Sequence, residues 1–111
     1  MFAQRERLDR VAFAHVYKVG KRIHTPGFVL IFVPSPDRKV AVVVGKKVAQ
    51  SAVARNMLRR RLYAVLFEAD VRTGHSVVIA KPPTRTYPYT KLQTEITTAL
   101  KRAFGSISYS R

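Results

Sequence analysis

Apolar residues recur along the chain with two different spacings, which together predict three helices and a small number of strands. A helical spacing of about 3.6 residues runs through residues 7–19, 50–69 and 91–104. Unbroken apolar runs at residues 28–33 and 40–44 lack polar alternation, and such runs are typical of strands buried on both faces. The chain is therefore predicted to begin with a helix that is followed by a pair of buried strands.

Two further segments complete the predicted sheet. Residues 76–80, which are mostly apolar, form another predicted strand, and residues 22–24 would add a short strand before the first buried one. The prolines in residues 34–37 predict a hairpin connection between the two buried strands, whereas the helix at residues 50–69 predicts a parallel crossover. The order of helix, two or three strands, helix, strand and helix predicts an α/β sandwich, of the α+β type, with one central sheet in a single domain over residues 1–111.

The first predicted helix has two apolar surfaces. Its main stripe is expected to lie on the sheet and contains Leu8, Val11, Ala12, His15, Val16 and Val19. Phe13 and Tyr17 lie one turn apart on the opposite side, so they need a second surface to cover them. We expect Gly20 to end this helix, and Thr90 with Gln93 to form a capping box at the start of the last helix.

The net charge of the chain predicts a polyanionic partner. The sequence has 21 Lys and Arg residues against 6 Asp and Glu, which gives a net charge of +15. Residues 38–67 contain eight basic residues and no acidic one. Because a solubilising surface usually mixes both signs, this uncompensated segment predicts a surface that binds nucleic acid or another polyanion.

The other chemistry-bearing residues exclude several classes of function. The chain has no cysteine, which excludes disulfides, a thiol nucleophile and a cysteine-ligated zinc site. His15, His24 and His75 lack the spacing of metal ligands, and the six carboxylates are scattered. No apolar stretch approaches the ~20 residues of a membrane span, and no secretory signal is predicted. These features predict a protein without a catalytic site of its own, which would use chemistry supplied by another molecule.

The basic segment leads into the second predicted helix and continues along it. Lys46 and Lys47 precede the helix start, where free backbone N–H groups also favour phosphate. The helix then presents a ridge of polar and cationic side chains at single-turn spacing: Arg55, Asn56, Arg59 and Arg60. Guanidinium groups match pairs of phosphate oxygens, so such a ridge would follow the backbone of a folded RNA.

This segment resembles the signature of the protein component of bacterial ribonuclease P. The matching residues are Lys46, Lys47, Ala52, Val53, Arg55, Asn56 and Arg60, and Arg59 is a conservative match. The sequence departs from the usual pattern at Ala49, where glycine is usual, and at Met57 and Tyr63, where basic residues are common. The resemblance extends over nearly the whole chain and includes the first helix and the strands at residues 28–33 and 76–80.

The resemblance implies a role in tRNA maturation. Family members are accessory subunits of an enzyme whose catalytic RNA removes the 5′ leader of precursor tRNA, and their α/β fold contains a left-handed strand–helix–strand crossover. The resemblance assigns RNA binding to Lys46, Lys47, Arg55, Asn56, Arg59, Arg60 and Arg61. It assigns a cleft for the leader, between the first helix and the sheet, to Phe13, Tyr17 and Ile31.

The same resemblance sets expectations for partners, cofactors and location. The expected partners are the catalytic RNA and precursor tRNA, with no membrane and no obligate protein partner. No cofactor or metal site is expected on the protein, whereas divalent ions, Mg²⁺ in particular, are expected with the RNA. The expected location is the cytoplasm, which also suits a chain without cysteine.

Three alternative functions remain open on the sequence alone. A ribosomal or other structured-RNA-binding protein would carry a similar net charge. A protein that binds membrane surfaces would use a basic amphipathic helix, which residues 50–69 provide only weakly. A protein nuclease would need a metal or an acid–base cluster.

Tyr63 and Phe67 form an aromatic pair one turn apart on the second predicted helix. They would either cover an apolar patch or contact RNA.

Overall fold

The computed structural model describes residues 6–69 and 73–103, which form three α-helices and four strands. In chain order these are α1 (Arg10–Val19), β1 (Lys21–His24), β2 (Phe28–Val33), β3 (Arg38–Val43), α2 (Ala52–Glu68), β4 (Gly74–Ala80) and α3 (Tyr89–Ala103). A 3₁₀ helix at Pro82–Thr86 connects β4 to α3. The predicted order and the mixed α+β fold are confirmed, with three strands before α2. The predicted end of the last helix at residue 104 lies outside the described residues.

The four strands form one mixed sheet in the order β1-β2-β4-β3. The parallel pairing of β3 with β4 confirms the predicted crossover through α2, and the handedness of this crossover stays a prediction. The predicted hairpin between β2 and β3 is wrong, because β4 lies between them and pairs antiparallel with β2. Val77 and Val78 of β4 face opposite sides of the sheet, and both are fully buried. A strand that is apolar on both faces is best accommodated in the centre of a sheet, which leaves β3 at the edge.

The helices cover the two faces of this sheet unequally. α2 and α3 pack on the face that contains Leu30 and Val78, and together they bury the larger core cluster. α1 packs on the other face, where Val16 joins Ile31 and Val77 in a separate cluster. Because Val16 is the one fully buried residue of α1, several residues on this second face stay half-buried.

The rotation of α1 about its axis differs from the sequence-based prediction. Val11 is 79% exposed and Val19 is 56% exposed. His15, predicted on the same buried stripe, is also exposed. The residues that pack toward the sheet include Leu8 and Val16, which belong to the predicted stripe, and Phe13, which the prediction placed on the opposite side. The predicted stripe is therefore correct at Leu8 and Val16 and wrong at Val11, His15 and Val19, which face solvent.

Contacts at both ends of α1 explain this rotation. Before the helix, the Leu8 backbone N–H donates to the Val40 carbonyl of β3 at 3.0 Å. After the helix, Gly20 lies so close to β2 that an added Cβ would be 2.5 Å from Ile31 Cγ2. The helix is thus held between the β3 edge and β2, and this placement directs Val16 onto the sheet.

The start of α3 also differs from the prediction. The helix begins at Tyr89 rather than at residue 91, because the Pro88 carbonyl accepts the first helical N–H groups. Thr90 therefore lies inside the helix, and Gln93 donates to Glu68 of α2 at 3.2 Å. The predicted capping box is wrong, and its Gln93 side chain instead joins α3 to α2.

Candidate nucleic-acid interface

α2 presents a cationic face to solvent because its apolar face is buried against the rest of the core. The buried residues are Leu58, Leu62, Val65 and Leu66, as the helical spacing predicts. Asn56 and Arg60 are exposed on the outer face, and Arg59 beside them is half-buried. The helix begins after Ser51, whose Oγ accepts the Ala54 N–H at 3.0 Å. The sequence-predicted ridge on α2 therefore exists as an accessible surface.

The loop between β3 and α2 projects Lys46 and Lys47 into solvent. The next two residues, Val48 and Ala49, are buried in the protein. The Val48 backbone N–H also donates to the Gly45 carbonyl at 3.1 Å, which closes a tight turn. Because the buried pair anchors one side of the loop, the two exposed lysines lie just before the start of α2.

Arg55 makes intramolecular hydrogen bonds that the sequence does not reveal. Its Nη1 donates to the Ala49 carbonyl at 3.1 Å and to the Gln50 carbonyl at 2.7 Å. These bonds connect the first turn of α2 to the loop that carries Lys46 and Lys47. The structure thus gives Arg55 a role in positioning this loop.

A pocket of about 350 Å³ lies between the outer face of α2 and the segment that precedes α1. Its described lining consists of Arg7, Asn56, Arg59, Arg60 and Tyr63. Arg59 Nη2 donates to Asn56 Oδ1, and the Arg7 guanidinium carbon lies 4.7 Å from the centre of the Tyr63 ring. The sequence identified three of these residues as RNA-binding candidates but missed Arg7, because no local pattern connects it with α2.

Arg61 lies on a different side of α2 from Arg59 and Arg60. It lines a second groove, of about 240 Å³, together with Met57 and Arg85. Consecutive residues of an α-helix point about 100° apart, so three adjacent arginines cannot share one face. The sequence-predicted set of RNA-binding residues is therefore divided between two sides of α2.

Phe13 and Tyr17 form a stacked aromatic pair on α1. Their ring centres are 6.2 Å apart and their planes differ by 11°. Arg22 of β1 places its guanidinium carbon 4.7 Å from the centre of the Tyr17 ring and donates to the Tyr17 carbonyl at 2.6 Å. Tyr17 is still 48% exposed. Aromatic rings next to a cation are a combination that suits unpaired nucleobases.

Ile31 does not share this accessible surface. It lies between α1 and the sheet, fully buried in the cluster with Val16 and Val77, so it has no surface accessible to a leader. The physical reason is that α1 packs directly over this part of β2. Val29 and Ile79 contact the same cluster but stay half-buried, so they retain accessible surface.

Tyr63 and Phe67 are held by contacts within the protein. The Val42 backbone N–H of β3 donates to the Tyr63 hydroxyl at 3.3 Å. The Arg38 guanidinium carbon lies 5.5 Å from the centre of the Phe67 ring, and Arg38 also pairs with Glu6 at 2.6 Å. The two aromatic residues therefore help to cover β3, while Phe67 keeps an exposed portion.

The histidines and carboxylates do not assemble into a metal centre in the described part of the chain. Within residues 6–69 and 73–103, no three of them are placed to hold a metal ion together. His75 Nε2 instead lies 2.8 Å from Asp37 Oδ1, which also accepts the Ser35 hydroxyl at 2.7 Å. No helix in those two ranges is long and apolar enough to cross a membrane.

Comparison with known proteins identifies the family. A family profile described as Ribonuclease P matches residues 2–104. The chain belongs to the ribonuclease P protein family. It is a protein subunit of ribonuclease P, an endoribonuclease of tRNA processing, and membership implies an RNA partner in the holoenzyme.

Related ribonuclease P proteins match most of the chain. The ribonuclease P protein component of Synechococcus sp. (strain JA-2-3B'a(2-13)) is 35% identical over 104 residues, which cover 86% of this chain and 78% of the relative. The component from a Nitratiruptor species is 35% identical over 92 residues, which cover 81% of this chain and 84% of the relative.

Solved structures of ribonuclease P proteins share the fold. The Staphylococcus aureus protein superposes with a TM-score of 0.77 at 20% identity, over 95% of this chain and 98% of the other. The Thermotoga maritima protein gives a TM-score of 0.77 at 23% identity, over 87% and 96%. At such identities the similarity supports the architecture, while the site residues rest on the geometry described above.

Proposed function

We propose that this ribonuclease P protein binds the catalytic RNA of the enzyme through the loop of Lys46 and Lys47 and through the outer face of α2. The supporting observation is an exposed basic surface drawn from residues 38–67, a segment without any acidic residue. Arginine and lysine side chains on such a surface displace counterions from RNA phosphates, and this release favours binding at low salt. The contacts follow the RNA backbone and shape more than its sequence.

A second part of the proposal assigns the 5′ leader of precursor tRNA to the surface formed by Phe13 and Tyr17. The stacked rings and the adjacent Arg22 support it, since aromatic faces bind bases of any identity and the cation attracts the backbone. The leader is the single-stranded part of the substrate, so its bases are free to stack on such a surface.

In this proposal the protein is an accessory subunit, and the RNA carries out the cleavage with bound Mg²⁺. The protein brings two polyanions together, and its net charge of +15 screens their mutual repulsion. This screening lowers the concentration of divalent ions that the reaction needs. The proposed location is the cytoplasm, where precursor tRNA is processed, without a membrane or an obligate protein partner.

Reconstitution at limiting magnesium tests this function. A bacterial ribonuclease P RNA is incubated with precursor tRNA, with and without the protein, and the product ends are mapped. We expect the protein to restore cleavage at the mature 5′ end, because it replaces part of the divalent charge. A substrate with a leader of a few nucleotides should bind the holoenzyme more tightly than mature tRNA.

Failure to bind or activate a cognate ribonuclease P RNA would contradict the proposed function. A stronger affinity for ribosomal RNA fragments in the same assay would indicate a structured-RNA-binding protein without a role in cleavage. Binding to anionic vesicles is measured in parallel by flotation, and we expect none.

Arg55 offers a test of how the RNA-binding loop is positioned. Arg55→Ala and the pair Lys46→Gln/Lys47→Gln should each weaken binding to ribonuclease P RNA. Because Arg55 holds the loop, the two losses of affinity should not multiply. The combined variant should bind at least about three-fold more tightly than the product of the two separate losses predicts. Filter binding of the wild-type protein, the two separate variants and the combined variant measures this double-mutant cycle.

The control cycle combines Arg61→Ala with the same two lysine substitutions. Arg61 lies on another side of α2 and lines a separate groove, so its effect should multiply with theirs. Multiplicative effects in both cycles would show that Arg55 acts only as an independent contact.

A further inference from the structure

The segment before α1 places a cation beside the RNA-binding helix from elsewhere in the chain. Arg7 forms a bridge with Val40 of β3, and the next residue, Leu8, donates its N–H to the Val40 carbonyl at 3.0 Å. These bonds fix the backbone of the segment along the free edge of β3. From there the Arg7 guanidinium carbon reaches a point 4.7 Å from the centre of the Tyr63 ring.

Tyr63 provides a fixed platform for this cation. Its ring packs against the larger core cluster, and its hydroxyl accepts the Val42 N–H at 3.3 Å. Contacts at both ends of the side chain restrict the ring to one orientation. A guanidinium that lies over such a ring is held by cation–π attraction without using its N–H donors. These donors stay available for an anion.

The pocket beside Tyr63 gathers further donors from α2. Asn56, Arg59 and Arg60 line it together with Arg7, and the Arg59–Asn56 hydrogen bond orients the Arg59 guanidinium. Of the described residues that line the pocket, none is acidic. The nearest acidic residue in sequence, Glu6, pairs with Arg38 at 2.6 Å. Three guanidinium groups thus surround a space of about 350 Å³.

We propose that this pocket binds neighbouring backbone phosphates of the ribonuclease P RNA and that Arg7 is one of their ligands. The inference rests on the proposed function, which brings RNA to the outer face of α2. It adds a ligand that comes from outside the helix and the loop. Guanidinium groups of Arg7 and Arg59 can each donate two N–H groups to phosphate oxygens.

Removal of the Arg7 charge tests the pocket. Arg7→Gln should weaken binding to a bacterial ribonuclease P RNA by about four- to six-fold at roughly 0.15 M salt, because one phosphate contact is lost. The slope of log affinity against log salt should fall by about 0.7–0.9 for the same reason. The Arg7 side chain is exposed, so the substitution leaves the core intact.

The matched control is Arg102→Gln, which removes the same charge from an exposed position in the last turn of α3. It should change the affinity less than two-fold and leave the salt slope unchanged. An Arg7→Gln variant that behaves like Arg102→Gln, while the wild-type protein binds tightly, would overturn the pocket and leave the proposed function standing. A wild-type protein that does not bind this RNA would overturn both.

The platform role of Tyr63 gives a second, independent test. Tyr63→Phe keeps the ring beneath Arg7 and should retain RNA affinity within about two-fold, whereas Tyr63→Leu removes the cation–π contact and should weaken binding about as much as Arg7→Gln. Circular dichroism confirms that each variant is folded. Equal affinities of the folded Leu and Phe variants would contradict the platform role and so the proposed pocket.

The absence of cysteine from the chain permits a direct mapping of the pocket on the RNA. Single variants Arg7→Cys, Arg60→Cys and Arg102→Cys are labelled with an iron chelate that cleaves nearby RNA. We expect the probes at residues 7 and 60 to cleave overlapping nucleotides, since both line the same pocket. Cleavage from residue 7 that is no stronger than from residue 102 would exclude Arg7 from the interface.

Discussion

Replacing Arg59 and Arg60 together by glutamine is expected to weaken binding to a bacterial ribonuclease P RNA by roughly 10- to 30-fold at about 0.15 M salt. Both side chains line the pocket on the outer face of α2, and each is expected to neutralise one phosphate. The slope of log affinity against log salt should fall by about 1.4–1.8 for the two lost contacts. A titration at several salt concentrations measures both quantities. The folded protein should be little affected, because glutamine keeps a good helix former at both positions.

The control for this variant is Lys101→Gln/Arg102→Gln in the last turn of α3. It removes the same total charge from exposed positions outside the proposed interface. We expect the affinity for the RNA to fall by less than about three-fold, because only the overall electrostatic field of the protein changes. If both double variants weakened binding equally, the net charge rather than the α2 face would determine RNA affinity. If neither did, the interface would lie elsewhere.

Gly74→Ala is expected to lower the free energy of unfolding by about 2–5 kcal/mol. Gly74 has a φ of 105°, a backbone conformation that residues with a Cβ rarely adopt. An added Cβ would also lie 2.3 Å from Cε1 of Phe32, whose ring is buried in the core. The ring cannot move without disturbing its neighbours, so backbone strain and steric overlap add. Thermal and urea denaturation followed by circular dichroism measure the change.

Gly45→Ala is the matched control for this prediction. Gly45 is exposed, and no heavy atom lies within 4 Å of the position that its Cβ would take. The free energy of unfolding should therefore change by no more than about 0.5 kcal/mol. A Gly74→Ala variant as stable as Gly45→Ala would show that Phe32 and the β4 backbone adapt at little cost.

The proposed RNA-binding surface on α2 shows how much a local pattern can predict. The spacing of Leu58, Leu62 and Leu66 predicts which side of α2 is buried, and the structure confirms it. The outward direction of Asn56 and Arg60 follows from the same period. The hydrogen bonds of Arg55 to the loop carbonyls do not follow, because they depend on the path of the chain before the helix.

α1 shows a different case, in which a local pattern identifies the buried side only in part. Its apolar residues lie on more than one side, so periodicity alone cannot select the buried one. The structure exposes Val11 and Val19 and buries Val16, because the helix is held between the β3 edge and β2. The same placement buries Ile31 and leaves Tyr17 accessible, so Ile31 has no surface to contribute to the proposed leader site.

The sequence by itself determined the order of the elements, the buried strand at Phe28–Val33, the amphipathic character of α2 and the family of the protein. Each of these depends on the types and spacing of residues within a short segment. The tertiary structure alone decided that β4 separates β2 from β3, which side of α1 meets the sheet, and that Arg7 joins Arg59 and Arg60 around one pocket. These features arise from contacts between residues that are far apart in the chain. The energy of such contacts depends on the whole assembly, because the elements share a limited buried surface and a limited set of hydrogen-bond partners.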